Sequence, residues 1–171
     1  NVSRNPLTIN KTRKEFNKIM KNKTLVRFCI SAVIAALYAA VSLALAPLSF
    51  GPVQIRIAEA MTLLPVLFPE AIAGVTLGCF LTNLIGAIMG VNLLGFFDVL
   101  AGTLATFLAA LLTWKFRKLC VKGLPLVSAL MPVLFNAVIV GAELAYVLYP
   151  TALVTGFMIN ALEVGFGELI A

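Results

Sequence analysis

Between residues 26 and 171 the chain returns repeatedly to apolar runs longer than the ~18 residues that mark a membrane-spanning helix. No other feature restricts its fold so strongly. Lipid offers the backbone no hydrogen-bond partner, so a span must be an α-helix or part of a closed barrel. The runs are continuous and not alternating, which selects helices. Composition agrees, with 61% hydrophobic and only 12% charged residues. The predicted fold is an all-α integral membrane protein.

Six spans are predicted, at 26–49, 57–68, 70–90, 93–114, 126–149 and 151–171. Pro69, Pro125 and Pro150 fall at boundaries, where proline costs least. The second run is too short to cross a full bilayer alone. A basic segment, 1–25, precedes the membrane domain, 26–171. No cleavable signal peptide is evident. A start at Asn1 and an unflanked last run ending at Ala171 suggest that a native start and a tail are missing.

Twelve of the thirteen lysines and arginines fall either in 1–27 or in 115–122. A six-span path with the N-terminus inside puts both clusters in the cytosol, with both termini. Only Arg56 then faces out. The net charge of +6 is thus a topology signal and not a nucleic-acid footprint. Trp114, Tyr146 and Tyr149 take interfacial anchoring positions. Cys29, Cys79 and Cys120 have neither the number nor the spacing for disulfides or zinc, and there is no histidine.

On a helical wheel Ala32, Ala35, Ala36, Ala39 and Ala40 share one sector of the first span, while Val33, Ile34, Leu37, Tyr38 and Val41 fill the other side. A smooth alanine face lets another backbone approach closely. Its partner is either a helix of the same bundle or a different membrane subunit. Gly74, Gly78, Thr82, Gly86 and Gly90, and the stripe Asp98, Gly102, Ala105 and Ala109, read as internal packing seams.

Ionisable groups in a bilayer are costly and face a cavity or a partner. Here they are Glu59, Asp98, Glu143, Glu163 and Glu168, accompanied by Asn83, Asn92, Asn136 and Asn160. Asn136 and Glu143 share a face of the fifth span, and Asn160 and Glu163 share a face of the sixth. Carboxylates match adjacent N–H groups and attract ammonium. A proton relay and simple helix-to-helix ties remain open, whereas the scattered spacing disfavours a metal. Gln54, Arg56 and Glu59 form either a surface ion pair at a helix start or a lid, with Gln54 and Arg56 closing a cavity after the Gly51-Pro52 turn. Glu70 complements a helix dipole. The absence of Gly-Lys, HExxH and GxSxG leaves no ATPase or catalytic centre of the chain's own.

The stretch "AALYAAVSLALAPLSFGPVQIRIAEAMTLLPVLFPEAIAGVTLGC", residues 35–79, resembles the QueT family, and "DVLAGTLATFLAALLT" (98–113) and "PVLFNAVIVGAEL" (132–144) extend the similarity. The resemblance implies a substrate-binding S-component of an energy-coupling-factor transporter, a six-helix bundle that takes up queuosine precursors such as 7-aminomethyl-7-deazaguanine. It implies a transmembrane coupling protein and two cytosolic ATPases as partners, ATP use confined to those partners, no cofactor of its own, and residence in a bacterial plasma membrane. It maps the partner-docking motif onto Ala32, Ala36 and Ala40, with Ala35 and Ala39 beside them. It places the ligand near the outer ends of the later helices. Glu143 and Glu163 are then expected to hold the paired N–H groups and the aminomethyl cation, and Asn136 and Asn160 the carbonyl and ring nitrogens. The rival expectation is a proton-coupled carrier acting alone as a homodimer.

Overall fold

The computed structural model describes residues 22–50 and 55–171. The basic residues Arg4 to Lys21, the Gly51-Pro52 turn and Gln54 lie outside the described residues. Five helices in the described part are long and apolar enough to cross a membrane. They are α1 (Lys23–Ala44), α3 (Glu70–Ile88), α4 (Phe96–Phe116), α5 (Leu126–Leu148) and α6 (Leu153–Ile170). Their outer faces stay greasy: Leu100 is 76% exposed and Val154 79%. Water would penalise such a surface, but hydrocarbon does not.

Where the chain breaks, a residue explains it. The apolar run 26–49 divides at Leu45 into α1 and a short helix, α2 (Ala46–Ser49). Pro47 has no N–H, and its ring clashes with the carbonyl four residues back, so α1 cannot run through it. Gly95, with φ of 59°, turns the chain into α4. Pro132 sits inside α5 without ending it. Its missing N–H leaves the Ser128 carbonyl uncommitted, and Thr113 Oγ1 of α4 donates to that carbonyl at 3.1 Å. Ser128 Oγ returns a bond to Thr113 O at 3.0 Å. The helix fault becomes a clasp between α4 and α5.

The run 57–68 is where regular α-helix fails. Ile57–Val66 forms a 3-10 helix of ten residues containing Pro65. At about 2.0 Å per residue it spans roughly 20 Å, short of the hydrocarbon thickness. Runs of this kind longer than three or four residues are uncommon. The element packs against all five long helices. Those helices neighbour one another in the order α1, α3, α4, α5, α6 and curl around it.

Two apolar clusters flank this centre. One joins Ile34 and Tyr38 of α1 to Ala58, Ala71, Val75, Cys79 and Ala110. The other joins Leu94, Ala105, Val140, Leu144 and Val164. The α1–α3 crossing is very close: a Cβ at Gly74 would lie 2.8 Å from Ile34 Cβ, and one at Gly78 would lie 2.7 Å from Tyr38 Cβ. Gly90 departs from the seam expected of it, since it is exposed in the turn after α3 with φ of 69°.

The alanine sector of α1 is split by the same packing. Ala35 is buried with Ile34, Tyr38 and Ser42, while Ala32, Ala36 and Ala40 are exposed and Ala39 is intermediate. The wheel reading is corrected on this point. Ile34 and Tyr38 point inward because Gly74 and Gly78 make room for them, and they take Ala35 with them. At one end of the bundle Arg27 pairs with Glu70 at 2.8 Å, and Ser31 Oγ donates to Glu70 O at 2.8 Å. Glu70, expected only to complement a helix dipole, therefore also ties α3 to α1.

Candidate functional site

The centre of the bundle holds Glu59, Asp98, Glu143 and Glu168, and three of them are held by specific neighbours. Arg56, just before the 3-10 helix, donates from Nη2 to Asp98 Oδ2 of α4 at 2.5 Å, and both side chains are almost wholly buried. Asn92 Nδ2 donates to the same oxygen at 3.1 Å, and Asn83 Nδ2 of α3 donates to the Asp98 carbonyl at 2.9 Å. There is no space for a side chain at Gly102, whose Cβ would meet Asp98, Asn83 and Arg56. The surface location expected for Arg56 and Glu59 is corrected: both are buried, and Arg56 turns inward to Asp98, 42 residues away in sequence.

Glu59 is fixed separately. Tyr38 OH of α1 donates to Glu59 Oε1 at 2.5 Å, and Thr106 Oγ1 of α4 donates to the same oxygen at 2.6 Å. Thr62 Oγ1 caps the Glu59 carbonyl at 2.6 Å. Asn136 of α5 lies beside Glu59. Its Nδ2 donates to Glu168 Oε1 of α6 at 3.0 Å. Glu143, half-buried on α5, senses both Asp98 and Arg56, and Glu168 senses Glu59 and Arg56. Four carboxylates thus share one field with the Arg56 guanidinium.

Apart from the hydroxyls of Thr82 and Thr103, the leftover valences have one character. Glu59 Oε2, Asp98 Oδ1, Asn136 Oδ1 and both oxygens of Glu143 are buried and have no hydrogen-bond partner among the described residues. All are acceptors. An unpaired buried acceptor costs about 1–3 kcal/mol, so a cluster of them suits a guest rich in N–H groups or positively charged. Among the described residues no group of three His, Cys, Asp or Glu side chains is arranged to hold a metal ion.

Arg56, Glu59, Asp98, Asn136 and Glu143 therefore come together. Asn160 is buried, but its Nδ2 is committed to the Gly156 carbonyl of its own helix at 2.7 Å. Glu163 is half-buried and makes no side-chain hydrogen bond or ion pair with the described residues. Gln54 lies outside them. Tyr38 and Thr106 escape a reading of the sequence. A hydropathy pattern counts Tyr38 as part of an apolar face and Thr106 as a small packing residue, and only tertiary structure aims both at Glu59.

A protein-family model described as QueT transporter matches residues 28–171. The chain belongs to the QueT transporter family. The match covers α1 from Phe28 onward, the other four long helices and the central 3-10 helix. It makes the chain a transporter and not an enzyme, in keeping with a multi-pass membrane architecture and a small-molecule substrate. No curated protein and no solved structure matches it. For a QueT protein the acceptor cluster is thus a substrate-site candidate inside a membrane transporter.

Proposed function

We propose that this QueT chain is the S-component of an energy-coupling-factor importer, and that it binds a queuosine precursor such as 7-aminomethyl-7-deazaguanine from outside. The observation that carries this reading is the convergence of buried acceptors on Glu59, Asp98, Asn136 and Glu143. A deazaguanine edge offers adjacent N–H donors to a carboxylate, and the aminomethyl group brings a cation to a site where carboxylates outnumber guanidinium. Arg56 sits at the outer entry of the 3-10 helix and holds Asp98 in place.

In this reading the short 3-10 helix counts as the sixth element of the membrane domain, 26–171. Both termini are cytosolic, and the basic segment 1–25 stays inside. Lys23 and Arg27 at the start of α1, and Lys115 to Lys122 after α4, lie at the same end of the bundle, which supports that orientation. The membrane is a bacterial plasma membrane. The chain needs no cofactor of its own, since two cytosolic ATPases act through a transmembrane coupling protein. Ala32, Ala36 and Ala40, exposed along one stripe of α1, give that protein a close approach.

Calorimetry with purified, monodisperse chain tests the ligand. Saturable binding of 7-aminomethyl-7-deazaguanine, with guanine weaker, is the expected result. An intact sample that shows no saturable heat rules it out.

A further inference from the structure

Asn136 is a side chain with two faces, an N–H donor and a carbonyl acceptor, and a ligand meets whichever one the protein leaves over. Glu168 decides which. At 3.0 Å Glu168 Oε1 accepts from the Nδ2 side of the Asn136 amide, and Glu59 lies beside the same amide. Glu168 is itself buried, at 8% exposure, and Asn136 is wholly so. Rotating the amide by half a turn would give up the Nδ2 bond to Glu168 and turn the carbonyl toward the oxygens of Glu168 and Glu59. The arrangement leaves Asn136 Oδ1 unpartnered among the described residues. Of the carbonyl and ring nitrogens expected to fall to Asn136 and Asn160, this orientation suits Asn136 to a ring N–H.

We propose that Glu168 is a positioning residue that sets substrate specificity: by holding the Asn136 amide it makes that position an obligate acceptor, which admits a ligand N–H and rejects a ligand carbonyl. The inference rests on the binding site described above and adds to it a residue that does not touch the ligand. It also accounts for a costly carboxylate in α6, far in sequence from the other site residues. Glu59 follows the same plan, with Tyr38 and Thr106 on one oxygen and the other oxygen left over.

Exchanging the two groups provides the test. In N136D two buried carboxylates oppose each other, and affinity for 7-aminomethyl-7-deazaguanine should fall about tenfold or more. In N136D/E168Q the amide introduced at position 168 donates to one oxygen of the carboxylate introduced at position 136 and leaves the other for the ligand. Affinity should then recover several-fold over N136D, short of wild type because Glu59 still faces position 136. A carboxylate cannot donate, so rescue is impossible if Asn136 serves the ligand through Nδ2. A folded double variant as weak as N136D overturns the proposal. A second measurement uses the wild-type chain, in case the variants do not fold. On ligand addition the carbon-13 shift of the Asn136 carboxamide should move while its side-chain N–H protons stay protected from exchange, and the converse overturns the proposal. Failure of wild-type protein to bind at all removes the ligand assignment and this inference together. Binding without rescue removes the inference alone.

Discussion

Both oxygens of Glu143 are buried without a partner among the described residues, while Glu59 and Asp98 each have one oxygen secured by the protein. The three acids should therefore respond differently to neutralisation. E143Q keeps the shape and loses only the charge offered to the ligand. Calorimetry should show affinity for 7-aminomethyl-7-deazaguanine reduced about tenfold or more, with thermal stability unchanged or higher, because no protein bond is broken. Wild-type affinity in E143Q would take Glu143 out of the site. D98N should instead unfold the chain more easily, by about 1.5–3 kcal/mol, since it removes the charge from a buried hydrogen bond to Arg56. Chemical denaturation in detergent reads this, and unaltered stability would mean that the Arg56–Asp98 pair adds nothing net to the fold. The acids were legible in the sequence because an ionisable group in an oily run stands out. Their partners were not. Tyr38 and Asp98 lie 21 and 42 residues from the groups they bind, and no periodicity links such distances.

At the scale of elements, α1 meets α3 through two glycines, and what they admit differs. Gly74 makes room for Ile34, whereas Gly78 makes room for Tyr38, which reaches on to Glu59. G74A and G78A should each cost about 1–3 kcal/mol by overpacking. Only G78A should also weaken ligand binding beyond what its loss of stability explains, because it displaces the hydroxyl that orients Glu59. Equal binding defects in the two variants would deny Tyr38 that role. The long helices could be read from apolar run length, and several of their boundaries from Pro69, Pro125 and Pro150. The 3-10 conformation could not. It follows from Pro65, from the Thr62 hydroxyl on the Glu59 carbonyl, and from packing against five neighbours at once. A wheel built at 100° per residue cannot represent any of these. The wheel failed on Ala35 for a related reason, since the buried face of α1 is set by the glycines of another helix.

For the whole molecule, the arrangement separates two tasks. The acceptors lie around the central element, while the exposed stripe Ala32, Ala36 and Ala40 runs along the outside of α1, at the edge of the helix array. A bulky side chain on that stripe faces lipid in the isolated chain and costs it little. The same side chain would hold a partner helix away from a surface whose attraction depends on close backbone approach. A36W should therefore bind 7-aminomethyl-7-deazaguanine as wild type does. In proteoliposomes that also contain the coupling protein and both ATPases, its ATP-driven uptake should fall by about tenfold or more. Wild-type chain reconstituted without those partners should accumulate no substrate under an imposed pH gradient. Uptake under the gradient alone would favour the proton-coupled carrier, for which the succession Glu59, Asn136 and Glu168 across the interior would be the path to dissect. Loss of uptake in A36W together with lost ligand affinity would place the stripe inside the bundle's own packing. Loss of uptake with affinity intact separates docking from recognition, as the geometry of α1 requires: alanines on one face, and Tyr38 reaching Glu59 on the other.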